Sequence, residues 1–570
     1  MKLYIHKSKS NTILYMSKTY RNSDKKITSK IIEKLGTLDE VKEKANGEDP
    51  IEWAKKYIKQ RTEEEKENNG TYYPKFSESK ELDDKEKIFN CGYLFLQKLF
   101  YGLNLDKMCK EISSKYKFQY NLNSILSRLI YTRILEPSSK QSSFESSKKF
   151  IEQPDFELHD IYRALEVISK ETEYIEKFVY QSSLNLVKRN TRILYYDCTN
   201  YFFEIEQAEG LKKYGVSKEH RPNPIIQMGL IMDGDGFPLA FTITEGNKNE
   251  QLTLKPLEEQ IIKDFSLSKF VMCTDAGLAS QNNRIFNNIQ NRSFIVTQSL
   301  KKIKGHIQEW ALSKDEWHSF SHPKKKINLE EIDNSSENEE IYFKERWIKE
   351  NGLEQRLIVT YSPKYAAYQK SVRQAQVMRA QAYIESPSQL NKNRQTDPKR
   401  FIKSTKITKD GEIAEKNILT INQDAIDKEA MFDGYYAVCT TLEDDVKEII
   451  KVNKRRWEIE ESFRILKSDF KARPVYLKRD DRIKAHFTIC FLSLLIYRIL
   501  ENKLEEKYTT TRILKTLKEM NSLKIEGIGY KQLYAKSEIT TSLNKAFNTN
   551  LDMDFIGEQN IRKIFKDTKK

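Results

Sequence analysis

The 570-residue chain is short of the residues that staple, anchor or export a protein. Its six cysteines, Cys91, Cys109, Cys198, Cys273, Cys439 and Cys490, lie far apart, with no CxxC pair and no Cys/His spacing of the zinc type. That pattern excludes a disulfide scaffold or zinc ribbon and suits a reduced interior. The opening MKLYIHKSKSNTILYMSK has no continuous apolar core behind its positive charges, so no secretory signal is expected. Long hydrophobic runs are also missing. The most apolar one, Phe487 to Tyr497, is too short to span a bilayer and reads as a buried helix. A cytoplasmic protein without a membrane partner is the expectation. No convincing Ser/His/Asp or Cys/His arrangement stands out as a protein nucleophile.

What is present is positive charge. Lys and Arg number 98 against 83 Asp and Glu, a formal net charge of +15 and a pI near 9.1. Such a balance favours a polyanion such as nucleic acid, although a Lys-rich composition alone produces it. The length exceeds what one core organises, and 38% hydrophobic residues suffice for several, so about three or four domains are expected.

Residues 1–87 divide into β-prone runs, TILYMSK and KKITSKIIEKLG, and a Lys/Glu-dense stretch that reads as solvated helix or linker. From 88 to 189 apolar residues recur every three or four positions, predicting a helical domain that either reads DNA or serves as scaffold. Residues 190–300 then predict three strands, helix, strand, helix and strand, with a DGDG turn closing a hairpin. This mixed α/β order is that of ribonuclease H-like cores. Polar sequence in 301–431 suggests an insertion, interrupted by a helix at AAYQKSVRQAQVMRAQAYI. The core resumes over 432–505 with one long helical stretch from Glu443 to Phe470 and an apolar helix around Ile483 to Asn502. Residues 506–570 are expected to form a helical tail.

Two aspartates end apolar strands: Asp197 after Ile193–Tyr196, and Asp275 just past Phe270–Cys273. A carboxylate there is costly unless hydrogen-bonded, paired or bound to a cation. Each could instead simply cap the following turn. At 100 degrees per residue, Asn453, Arg456, Glu460 and Lys467 fall within about 60 degrees of one helix face. An ordinary run of intrahelical ion pairs gives the same pattern. Trp457 reads as core rather than as a stacking surface.

The spacing Arg456, Glu460, Lys467 within NKRRWEIEESFRILKSDFKARPVYL resembles the YREK signature of IS4-type transposases, and the surrounding sequence is similar to the IS1634 group. YYDCTNYFFE resembles that group's first aspartate motif, TDAGLAS its second, and YGVSKEHRPNPIIQMGLIMDGDGFPLAF the segment after the first. The resemblance implies a DDE transposase that cleaves and transfers the ends of its own insertion sequence. It implies a triad of Asp197, Asp275 and Glu460 holding two Mg²⁺ ions, with Mn²⁺ as a substitute, a chemistry suited to hard oxygen ligands. Arg456 and Lys467 are then expected on DNA phosphates, as fork and point charge. Asn453 fills the signature's tyrosine slot; it can hydrogen-bond a phosphate but cannot stack on a base. The implied partners are terminal inverted repeats and target DNA, held by a homodimer in a bacterial, nucleoid-associated setting. A nuclease of the same fold, or a transposase-derived DNA-binding protein without catalysis, remains open. His220, Arg221 and Asn223 could face the site or merely line a surface loop. Thr199 and Asn200 could touch DNA or shape the strand.

Overall fold

The computed structural model describes residues 1–8, 11–21, 27–69, 86–289, 291–385, 398–407 and 416–570. The chain divides into two compact units, one of residues 1–85 with 525–529, the other of 86–524 with 530–570.

In the smaller unit β1 (Lys2–Lys7), β2 (Thr12–Arg21) and β3 (Ile27–Thr37) form an antiparallel sheet in sequence order. Leu14, Met16 and Leu35 bury one face against Val41 of α1 (Leu38–Lys44) and against Ala54 and Ile58 of α2 (Pro50–Asn69). The sheet gives way to helix at Thr37, whose hydroxyl accepts the Glu40 N–H while the Glu40 carboxylate accepts the Thr37 N–H. These reciprocal bonds satisfy helix-start donors that would otherwise lack partners. The expected β-prone runs are strands here. The charged stretch is helical through Asn69, and residues 70–85 of the expected linker lie outside the described residues.

The larger unit opens with β4 (Ile88–Asn90) and the helices α3 (Tyr93–Gly102), α4 (Leu105–Lys115), α5 (Leu122–Leu135), α6 (Lys140–Ser147), α7 (Leu158–Lys170) and α8 (Thr172–Ser183). Then β5 (Ile193–Phe202), β6 (Ile225–Asp233), β7 (Pro238–Glu245), α9 (Leu254–Phe265), β8 (Val271–Thr274), α10 (Gln281–Phe286) and β9 (Ser293–Thr297) follow in the order read from the sequence. After α11 (Gly305–Leu312) come β10 (His318–Ser319), β11 (Tyr342–Glu350), β12 (Leu353–Tyr361), α12 (Pro363–Glu385), the pair β13 (Ile402–Ile407) and β14 (Lys416–Ile421), α13 (Gln423–Ala430) and β15 (Tyr435–Thr440). The remainder is α14 (Val446–Lys454), α15 (Trp457–Arg464), α16 (Asp480–Lys503), α17 (Thr510–Glu519), β16 (Asn521–Ile525), β17 (Gly529–Gln532), α18 (Glu538–Phe547), β18 (Phe555–Gly557) and α19 (Glu558–Thr568).

One nine-stranded mixed sheet runs β10-β11-β12-β15-β9-β8-β5-β6-β7. β8 lies parallel to both β5 and β9, and the other pairings are antiparallel. The β6–β7 hairpin closes at the DGDG turn, where the Asp233 carboxylate accepts the N–H groups of Asp235 and Phe237 and Gly236 takes φ 82°. That positive φ suits glycine, which has no Cβ to clash. The stretch expected as an insertion supplies β10–β12 to the same sheet.

Both faces of the central strands are covered. Leu194, Tyr196 and Cys198 of β5 pack toward α9, whereas Tyr195, with Cys273 and Ile295, packs toward Ile449 and Ile450 of α14. α16 is long and apolar enough to cross a membrane by length and composition. Here it is a core helix, fully buried from Phe487 to Tyr497 and packed by α3, α5 and α7. Each such buried apolar side chain contributes about 1.5–3 kcal/mol. All six cysteines are buried and free of disulfides.

Residues 506–570 correct the expected helical tail. They contain β16, β17 and β18, which with β4 form a four-stranded sheet in the order β18-β17-β16-β4. Ser522 pairs with Phe89, a partner 433 residues earlier that no local pattern reveals.

Candidate active site

The strand register brings the two aspartates together. In the parallel β5–β8 pair, Tyr195 lies opposite Cys273, and two residues further along each chain are Asp197 and Asp275. Side chains alternate along a strand, so Asp197 leaves the sheet on the face of Tyr195, the face that α14 covers, and Asp275 follows one residue past the end of β8. The two charges feel each other. Burial raises the Asp197 pKa to about 6, and Asp275 adds to the rise, while Lys218, the Cys198 N–H and Arg456 oppose it. Each carboxylate also accepts one local N–H, Asp197 from Cys198 at 2.7 Å and Asp275 from Leu278 at 3.0 Å. Asp275 thus caps the turn after β8, whereas Asp197, expected at the end of its strand, lies inside β5, which runs on to Phe202; one bond each leaves most of their acceptor capacity unused.

The stretch expected as one helix is broken. Between α14 and α15 the N–H groups of Arg456, Glu458 and Ile459 bond three residues back, to Asn453, Arg455 and Arg456. Such turns wind about 120 degrees per residue instead of 100, so the face projected from the sequence does not survive. Asn453 is only 4% exposed. Its amide donates to the Tyr436 hydroxyl at 2.8 Å and its carbonyl accepts from Cys273 Sγ at 3.7 Å. Tyr436 in turn meets the Thr297 hydroxyl at 2.7 Å, which accepts from Arg456 at 3.3 Å. A buried chain of polar contacts thus runs from the β8 strand to the Arg456 guanidinium.

Glu460 stands apart from the aspartates. Its side chain is 62% exposed and lies 3.7 Å from Arg456 in an i,i+4 pair. It faces a cleft of about 370 Å³ shared with Tyr365, Tyr436, Asn453, Arg456 and Trp457. Among the described residues, no three His, Cys, Asp or Glu side chains are gathered closely enough to hold one metal ion. Trp457, expected in the core, is 58% exposed. It is the first residue of α15, just after the tightened turn, and that turn rotates it outward.

Lys467 lies in a π-helical turn, Ile465–Asp469, in which Phe470 N–H reaches back five residues to Ile465. Such turns insert an extra residue and redirect side chains. Its ammonium is 3.6 Å from Glu219 and stands over the Tyr201 ring. Burial lowers its pKa to about 8, the neighbouring Lys218 lowers it further and Asp197 opposes both.

Lys218 escaped the sequence reading, although it begins the KEHRPNP stretch singled out for other residues. It donates to the Cys198 carbonyl, pairs with Glu250 at 3.4 Å, and is the cation that most stabilises ionised Asp197. Its loop is held by Asn200, whose amide donates to the Val216 carbonyl and whose oxygen accepts the Lys218 N–H. Asn200 and Thr199 are both buried, and Asn200 shapes the loop. His220 is exposed at φ 54°, and Arg221 stacks on Phe202 at 4.1 Å. Asn223 is half-buried beside them.

The family described as transposase DDE domain matches residues 202–496. The chain belongs to that family. The matched stretch of this transposase contains Asp275, Glu460 and Lys467 and begins five residues after Asp197. No curated protein matches it. Among solved structures, one titled as a cryo-EM structure of piggyBac transposase synaptic complex with hairpin DNA is similar at a TM-score of 0.35 and 9% identity, covering 84% of this chain and 85% of that one. A likeness so distant transfers no residue roles.

Proposed function

We propose that this DDE transposase cuts and rejoins the DNA ends of its own insertion sequence by phosphodiester hydrolysis followed by transesterification, on a ribonuclease H-like core of the IS4 type, IS1634 group. The observation that carries the reading is the pair formed by Asp197 in β5 and Asp275 just past the end of the neighbouring parallel β8, set among Lys218, Lys467 and Arg456. Two adjacent carboxylates with spare lone pairs are a hard oxygen donor set, which suits Mg²⁺ or Mn²⁺. When bound there, the ions supply Lewis acidity to the phosphodiester and to the attacking oxygen. Asp197 and Asp275 would hold them, with Glu460, exposed and paired with Arg456, as the third carboxylate.

Arg456 offers a planar fork to a phosphate once Glu460 leaves it, and its anchor on Thr297 limits its freedom. Lys467 and Lys218 offset phosphate charge near Asp197. The partners in this reading are terminal inverted repeats and target DNA, held by a homodimer, in the bacterial cytoplasm. The test is cleavage of linear DNA carrying the element's terminal repeats, with Mg²⁺ or Mn²⁺, by the native chain and by Glu460→Gln. Cutting at the end that is lost in the variant with binding retained supports the reading. Binding without cutting by the native chain points to a DNA-binding protein, and cutting without joining points to a nuclease.

A further inference from the structure

A second cleft, of about 430 Å³, opens where the α5–α6 connection meets the segment after the π turn. Arg133, Lys140, Lys471, Arg473 and His486 line it, and no acidic residue does among the described residues. Arg133 is 3% exposed; its fork donates to the Phe470, Lys471 and Ser138 carbonyls while its Nε has no partner. Lys140 is 4% exposed, and its Nζ has the ring of His486 at 3.5 Å. The other ring nitrogen of His486 lies 3.2 Å from the Ala472 carbonyl. Assigning the proton to that nitrogen leaves Nδ1 to accept from Lys140.

Two buried basic groups side by side with no carboxylate are costly to charge together, and the cost falls when an anion completes them or when Lys140 gives up its proton. Burial and the Arg133 charge together lower the Lys140 pKa to about 7. The eight-residue helix α6 begins at Lys140, so the positive end of its dipole opens on the same cleft. Arg473 pairs with Glu219, the carboxylate that also holds Lys467, whose charge Asp197 feels. The basic surroundings of the aspartates therefore continue into this cleft.

We propose that the cleft binds a backbone phosphate of the DNA on which the aspartates act, an assignment that rests on the proposed function. Inorganic phosphate shares the chemistry and serves as the probe. The full chain is expected to bind it saturably in ³¹P line-broadening titrations. Lys140→Met is expected to weaken binding at least tenfold with an unchanged far-ultraviolet spectrum, because replacing an unpaired buried charge by an apolar side chain of similar length does not unfold a protein. Duplex DNA should displace the phosphate from the native chain, and Lys140→Met should lower the salt dependence of DNA binding by about one phosphate contact.

Absence of phosphate binding, or equal binding by Lys140→Met, overturns the site. Phosphate that stays bound under saturating duplex marks a free-anion pocket and overturns the DNA assignment. Asp275→Asn keeps the two ideas separable: it should still bind phosphate and release it to DNA. Displacement by DNA in a native chain that never cleaves would sink the proposed function while leaving the phosphate site standing.

Discussion

The two strand-borne aspartates and the helix-borne glutamate reach the surface by different routes. Asp197 and Asp275 are placed by hydrogen-bonded register, which sets two side chains side by side once the strands pair. Glu460 is placed by the phase of a helix that tightens just before it and loosens just after it. The sheet partly buries the aspartates, whereas the helix leaves Glu460 exposed and paired with Arg456.

The sharpest way to break this contrast is to separate cation binding from chemistry. Asp275→Asn and Glu460→Gln should each lower end cleavage by about 10³-fold, the size expected when several kcal/mol of charge stabilisation are removed. Calorimetry without DNA should show weakened divalent-cation binding only in Asp275→Asn. Equal weakening by Glu460→Gln would mean that the glutamate is already in place before DNA arrives.

The next largest effect concerns Asp197. Its folded pKa, about 6, lies above the unfolded value, so the folded state holds the proton more tightly. The stability this gives is fully present below the unfolded pKa and is lost as pH rises through 6. Asp197→Asn should therefore abolish cleavage yet raise unfolding stability at pH 8 by about 2 kcal/mol, with the gain fading toward pH 4. Urea midpoints across that range decide it, and a gain that does not depend on pH would remove burial of the charge as the cause.

Asn453→Ala should lower stability by about 1–3 kcal/mol, because it strips a buried partner from the chain that leads through Tyr436 and Thr297 to Arg456. Cleavage should fall with it, whereas DNA affinity lost at unchanged stability would instead place Asn453 on the DNA. The smallest change is at Trp457, where substitution by alanine should shift the urea midpoint by no more than about 1 kcal/mol in stability, since the ring is largely exposed. A larger loss would restore its expected core role.

How much of this was legible follows the same division. Strands β5, β6, β8 and β9 are buried on both faces, so their apolar runs and the aspartates that end them are written locally in the sequence. The break before α15 has no Gly or Pro to announce it; Arg455 and Arg456 keep helical dihedrals while their neighbours' hydrogen bonds shorten by one residue. The helix-face projection failed there; Asn453, expected on a phosphate, is buried, and Trp457, expected in the core, is exposed. Lys218 is one lysine in a lysine-rich chain, and only the fold of its loop against Asn200 distinguishes it. The tail strands depend on β4, hundreds of residues away.

The central position of α16 also sets a timetable. The helices α3, α5 and α7 close around a segment that leaves the ribosome roughly 310–380 residues after them, a delay of roughly 15–75 s at 5–20 residues per second. Until then these helices have one another but lack the apolar helix on which they converge. A polypeptide interrupted before residue 480 lacks the piece on which its first helices close, so premature termination yields a chain fit for proteolysis rather than a partial enzyme able to occupy DNA.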